Sequence, residues 1–189
     1  STCSTVPPKW TRKNQFSGQT QIETTYFLDD LLPKIIPNDA AALICLTNSD
    51  LYPKEKWSFV FGQADLHGRV GVWSLYRFGN YEKSEADYKL FLARTLKIAM
   101  HETGHMFSMR HCKKYECLMS GTNNLGETDR RPLDVCPECM AKICWAMNYD
   151  PAERYEKLAK FWREQNLPEE AQTFTKRAEA VRKLVVNIN

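Results

Sequence analysis

Apolar positions along the chain change period from segment to segment, and the changes predict its elements. Between Gln19 and Ile35, the residues Ile22, Tyr26, Leu28, Leu31, Leu32 and Ile35 approximate helical spacing, and Pro37-Asn38-Asp39 closes the run with a breaker and turn formers. The unbroken run Ala41-Ala42-Leu43-Ile44-Cys45-Leu46 predicts a strand buried on both faces, as in layered α/β domains, and Asp50 to Pro53 predicts a loop. Trp57 to Gly62 is β-like. So is Val70 to Phe78, where Val70, Val72, Ser74, Tyr76 and Phe78 alternate with Gly71, Trp73, Leu75 and Arg77. Glu85 to Phe107 then gives a long amphipathic helix through Tyr88, Phe91, Leu92, Leu96, Ala99, Met100 and Met106, with no internal proline. Pro137 to Val186 is helical in pattern, divided at Pro151 and at Asn166-Leu167-Pro168, with a stripe of Tyr155, Leu158, Phe161 and Trp162. Ser1 to Gly18 has no period and reads as an irregular tail. The expected organisation is therefore a tail (1–18), a catalytic-type domain (19–150) and a helical extension (151–189).

Composition narrows the class. With 189 residues, 43% hydrophobic and 26% charged, the chain has the make-up of an ordinary globular domain and not of a collagen, a repeat fibre or a disordered tail. Its longest apolar run, Ala40 to Leu46, is far below the roughly 20 residues of a membrane span, so a soluble protein with no membrane partner is expected. No secretory signal opens the sequence. A net charge of +3 is too small an excess to argue for nucleic acid as a partner.

Histidine and cysteine are the informative residues. Of four histidines and seven cysteines, His101, His105, His111, Cys112, Cys117, Cys136 and Cys139 all fall within one short stretch. Four residues is just over one helical turn, so His101 and His105 share a helix face and can place two imidazole nitrogens on one ion. The helix must stop after His105 for His111 to reach the same point. Three neutral imidazoles leave a position open for water, the arrangement of a catalytic zinc site. Glu102, offset around the helix, would take the proton of that water and pass it to a leaving amine. The paired spacing of Cys112 with Cys117 and of Cys136 with Cys139 is that of a closed, structural four-cysteine zinc site. Thiols held this way indicate a reducing compartment, with the cytoplasm and the nucleus as expected locations. Because His111 and Cys112 are adjacent, the second zinc would pin the turn presenting the third histidine. Cys3, Cys45 and Cys144 fit no such spacing, Cys45 reading as core; His67, in a polar turn, is assigned no role.

The string H-E-x-x-H-x-x-S-x-x-H-C-x4-C-x-M-x16-C-x-x-C from His101 to Cys139 resembles the archaemetzincin family of metzincin-clan metallopeptidases. The likeness extends upstream through Leu46 to Pro53, Phe59 to Ala64 and Gly71 to Ser74. It implies an α+β, zincin-like mixed sheet with an edge strand over an active-site helix, then a four-cysteine zinc subdomain and C-terminal helices. It further implies two zinc ions per chain, one on His101, His105 and His111 and one on the four cysteines, with Glu102 as general base. Met119 matches the methionine that lies beneath the metal in that family, and peptides or proteins would be the substrates of a monomeric enzyme. Val70 to Phe78, the last strand before the helix, is the expected peptide-binding edge, with Gly71 marking either close approach of substrate or a bulge. Two departures stand out. Ser108 replaces a family glycine whose left-handed backbone turns the chain towards the third histidine. The strand and helix that usually precede the segment matching Gln19 to Ile35 have no counterpart, which implies a short form with an unpaired sheet edge. These departures favour the alternative reading, a zinc-bound module that holds a peptide or partner without cleaving it. A nucleic-acid-binding zinc protein ranks last.

Overall fold

In a computed structural model the described residues are 6–54 and 56–186, and Cys3 lies outside them. The first element, β1 (Thr11–Lys13), pairs antiparallel with β2 (Thr20–Glu23), so the segment before Gly18 is not wholly irregular. The helix expected from Gln19 starts later. Thr20 to Glu23 extend as a strand, because Gln21 and Ile22 are both needed in the interior, and helical turns begin only at Tyr26. There a wide π-type turn, Tyr26–Leu31, buries three consecutive side chains, Tyr26, Phe27 and Leu28, before α1 (Leu32–Ile35).

β3 (Leu43–Thr47) forms where a strand was expected, but it is not buried on both faces: Ile44 and Leu46 are 41% and 55% exposed. It sits at the edge of its sheet, with only β6 beside it. The stretch read as a loop from Asp50 is β4 (Asp50–Tyr52), buried throughout. Its leading carboxylate tolerates the interior because the Arg77 guanidinium grips both Asp50 oxygens at 2.7 Å and the Gln21 amide donates to Oδ2 at 2.8 Å. β5 (Gly62–Ala64) and β6 (Val70–Ser74) complete the strands. They form two small mixed sheets ordered β1-β2-β4 and β3-β6-β5, in place of one continuous sheet. Around them Ile22, Tyr26, Phe27, Leu28, Leu32, Leu51, Val70 and Val72 make one core, and Phe61, Trp73, Phe78 and Ile98 another.

α2 (Glu85–Met106) starts at Ser84, whose side chain accepts from the Asp87 amide, with Glu85 and Asp87 placing negative charge in the first turn. α3 (Leu125–Arg130) follows, capped by Asn124. The chain divides into two compact units, Ser1–Asp134 and Val135–Asn189. In the second, α4 (Pro137–Met147), α5 (Pro151–Glu164) and α6 (Pro168–Val186) break where the prolines predict. Ala159, Ala171 and Ala178 leave room for Tyr155, Trp162 and Phe174 between α5 and α6, and Asn166 turns the chain at φ 57°. Among the described residues no helix is long and apolar enough to cross a membrane.

Candidate active site

Helix α2 presents His101 and His105 one turn apart, and the loops behind them settle which ring nitrogen each offers. The Leu118 carbonyl lies 2.9 Å from His101 Nδ1, and the Met109 carbonyl lies 2.6 Å from His105 Nδ1. A carbonyl oxygen can only accept, so both Nδ1 atoms carry the proton and both Nε2 atoms are bare acceptors. Those two acceptors face each other at 3.0 Å. A cation between two lone pairs held that close would relieve their repulsion, and Zn–N bonds of about 2.0–2.1 Å put tetrahedral neighbours about 3.3 Å apart. The His111 ring closes the group, its centroid 5.1 Å from that of His101 and 4.9 Å from that of His105, and one nitrogen from each of the three lies within 4.8 Å of the others. Burial holds His101 down to about 4 and lowers His105 and His111 as well, so all three are neutral imidazoles at neutral pH. The donor set fits zinc.

The chain reaches His111 as the spacing required. α2 ends at Met106, and Ser108 takes, at φ 62°, the left-handed conformation for which the resemblance implied a glycine. The Ser108 hydroxyl donates to the Leu66 carbonyl at 2.8 Å, which helps hold the strained turn. The Cys112 amide donates to the Met119 carbonyl at 2.9 Å, folding the next loop back beneath the helix. Met119 is fully buried there against Gly104, where an added Cβ would lie 2.8 Å from Met119 Cε. The ligand sulfurs of Cys112, Cys117, Cys136 and Cys139 all lie within 4.8 Å of one another, as the paired spacing predicts. Cys45 is half-buried against the first core, its thiol pushed up by burial; Cys144 is half-buried; His67 is exposed and does not join the three clustered histidines.

An open cleft of about 1030 Å³ leads to the histidines, walled by residues from Lys56 to Ala64 and by Gly121, Thr122 and Asn123. Glu102 lines it and is buried, which pushes its carboxyl up to about 8. The strand above it is β5, not the expected Val70 to Phe78. β6 lies between β3 and β5, so its main chain is already paired on both sides and cannot receive a peptide; β5 holds the edge. Gly71 neither bulges nor meets the cleft: its register with β3 is continuous, and it lets Met106 Sδ approach within 3.2 Å of where a Cβ would stand.

Residues 19–144 match the family model described as Peptidase family M54. The chain belongs to this family. Among its M54 relatives, mouse Archaemetzincin-2 is 39% identical over 176 residues, covering 79% of this chain and 49% of that protein. Human Archaemetzincin-2 is 36% identical with the same coverage, and human Archaemetzincin-1 is 33% identical, covering 78% of this chain and 35% of its own length. The chain thus spans about half the length, or less, of these curated relatives. Of solved structures, the archaemetzincin of Archaeoglobus fulgidus complexed with malonate superposes with a TM-score of 0.56 at 29% identity, covering 74% of this chain and 77% of that one. The archaemetzincin of Methanopyrus kandleri also gives 0.56, at 32% identity, covering 68% and 66%. The α+β zincin-like fold is therefore shared with the M54 family.

Two glycines of the M54 site escape a reading of metal ligands. A Cβ on Gly62 would stand 2.9 Å from both Glu102 Cγ and Trp73 Cβ, so β5 can pass over Glu102 only as glycine. Gly104 does the same for Met119. A glycine inside a long helix costs about 1 kcal/mol against alanine, and that cost was the available signal for Gly104. Gly62 sits at the end of a β-like run and carried none.

Proposed function

We propose that this chain is a zinc metallopeptidase whose cleft binds an extended peptide along β5 and whose His101, His105 and His111 hold the catalytic zinc. The observation that carries the reading is the pair of bare Nε2 acceptors facing each other at 3.0 Å on the cleft wall beside Glu102. Zinc bound there supplies a Lewis acid that acidifies water and polarises a carbonyl. Glu102 acts as general base: its carboxylate accepts a proton from the water attacking the scissile carbonyl carbon. When the C–N bond breaks, it returns that proton to the leaving amine. Its burial excludes bulk water, and a cation beside it favours the ionised form that the step needs. The backbone groups on the free side of β5 pair with substrate main chain, so recognition is largely independent of side chains. Cys112, Cys117, Cys136 and Cys139 hold a second, structural zinc that fixes the loop carrying His111. A site of action in the cytoplasm or nucleus fits thiolate ligands of this kind.

Metal analysis and a peptide library test the proposal together. About two zinc ions per chain are expected, with cleavage by wild type and none by Glu102→Ala at unchanged zinc content. Equal cleavage by both proteins removes Glu102 from the chemistry. No cleavage by the fully loaded wild type leaves a peptide-holding module in place of an enzyme.

A further inference from the structure

The ionisable side chains lining the cleft are unevenly signed. Beside the three histidines there are two cations, Lys56 and Arg110, and a single carboxylate, Glu102. Arg77 holds Asp50 and Arg94 holds Asp129, each through two hydrogen bonds, and Arg12, Arg69 and Arg131 are engaged by amide or carbonyl oxygens. Arg110 has no ion pair or hydrogen bond among the described residues, and neither has Lys56.

The backbone under Arg110 is nevertheless fixed. The amide of Met109 donates to the Gly104 carbonyl at 3.0 Å, the carbonyl of Met109 receives His105 Nδ1, and the residue after Arg110 is the third metal ligand. The segment leading on from Lys56 is fastened too. The Ser58 carbonyl accepts from the side chains of Gln21 at 2.8 Å and Asn14 at 3.3 Å, and Arg12 donates to the carbonyls of Trp57 and Ser58. An unpaired guanidinium on a rigid loop beside the metal ligands has no internal ion pair to give up when an anion arrives, and its planar fork matches a carboxylate.

We infer that the cleft selects peptides that present a carboxylate to Arg110, with Lys56 adding a second positive charge from the wall that includes Trp57 and Phe59. The inference rests on the cleft being a peptide site. The carboxylate comes either from an acidic side chain or from the C-terminus of a short peptide, and the test separates these sources.

Binding is measured on the zinc-loaded Glu102→Gln chain, which removes turnover, by anisotropy of three alanine-based peptides bearing a neutral fluorophore. One carries a glutamate side chain and an amidated C-terminus, one a free C-terminal carboxylate and no acidic side chain, and one neither. At least one carboxylate peptide should bind about three- to tenfold tighter than the neutral one, the range of an exposed to partly desolvated charged contact. Which of the two does so names the source. Adding Arg110→Ala should abolish the difference, and Arg110→Glu should shift preference to a peptide carrying lysine, with zinc content and melting temperature unchanged in both. Equal binding of the three peptides, or no binding by any, overturns the inference. So does a carboxylate preference that survives Arg110→Ala, which would place the carboxylate on the metal. Hydrolysis by the wild type is scored separately: its absence refutes the peptidase reading, while the binding series still decides the selectivity.

Discussion

Replacing Gly62 by alanine tests the geometry of Glu102 without touching a ligand or a charge. The new Cβ would stand 2.9 Å from Trp73 Cβ, 2.9 Å from Glu102 Cγ and 3.0 Å from Glu102 Oε1. Ordinary carbon contacts begin near about 3.5 Å, so roughly half an ångström of overlap has to be relieved. Trp73 Cβ is fixed to the central strand β6, which is hydrogen-bonded on both sides, so the yielding group is the Glu102 side chain. Overpacking of this kind costs about 1–3 kcal/mol, and displacing a reacting group by about 1 Å costs up to about 10²-fold in rate. Expected for Gly62→Ala, therefore, is a kcat about 10- to 100-fold lower, a melting temperature lower by roughly 2–8 °C, and full zinc content, since the histidines are held from the other side by Leu118 and Met109. Stopped peptide-cleavage assays, thermal melts and metal analysis on the same preparation read all three. A kcat equal to wild type refutes the placement of β5 against Glu102. Loss of zinc in step with activity would refute the claim that the effect is confined to the base.

Three further outcomes follow from contacts described above. Gly104→Ala and Met119→Ala should be non-additive in urea denaturation by about 1 kcal/mol or more, because the methionine that the new methyl strikes is gone in the double variant; additive values would refute the contact. Ser108→Ala keeps the left-handed backbone and loses the bond to Leu66, whereas Ser108→Gly loses the bond but relieves the backbone, so the alanine variant should be less stable by about 1 kcal/mol; equal stabilities refute the strain. Asp129 is held below the ordinary aspartate range by its hydrogen bonds from Arg94. A depressed pKa stabilises the fold fully above the unfolded value of about 4 and loses that contribution as pH falls through the folded value. Acidification from neutral pH should thus narrow the stability gap between wild type and Asp129→Asn, and parallel denaturation curves would contradict it.

The clustering of the three histidines was legible because it depends on local geometry. His101 and His105 share a face whatever surrounds the helix, and the need for a chain reversal before His111 follows from helix rise alone; Ser108 at φ 62° meets it. Breakers at Pro151 and Asn166 to Pro168 likewise act on their own neighbours. What failed to show depends on distant partners. Asp50 looks like a loop residue until Arg77, 27 positions on, and Gln21, 29 positions back, neutralise it inside the fold. The edge strand was misplaced because Gly62-Gln63-Ala64 has no alternation to detect, and which strand lies outermost is fixed by pairing order. Ile44 and Leu46 look interior by hydropathy alone, yet β3 has a neighbour on one side only.

Met109 joins two events usually treated apart. Its amide closes helix α2 by donating to the Gly104 carbonyl, and its carbonyl chooses the tautomer of His105. A chain that let the helix run on past Phe107 would withdraw that carbonyl and free the imidazole proton to move to Nε2, the nitrogen meant for the ion. Stopping the helix and readying the ligand are one step of folding, so metal uptake by this site reports that the helix has ended in the right place.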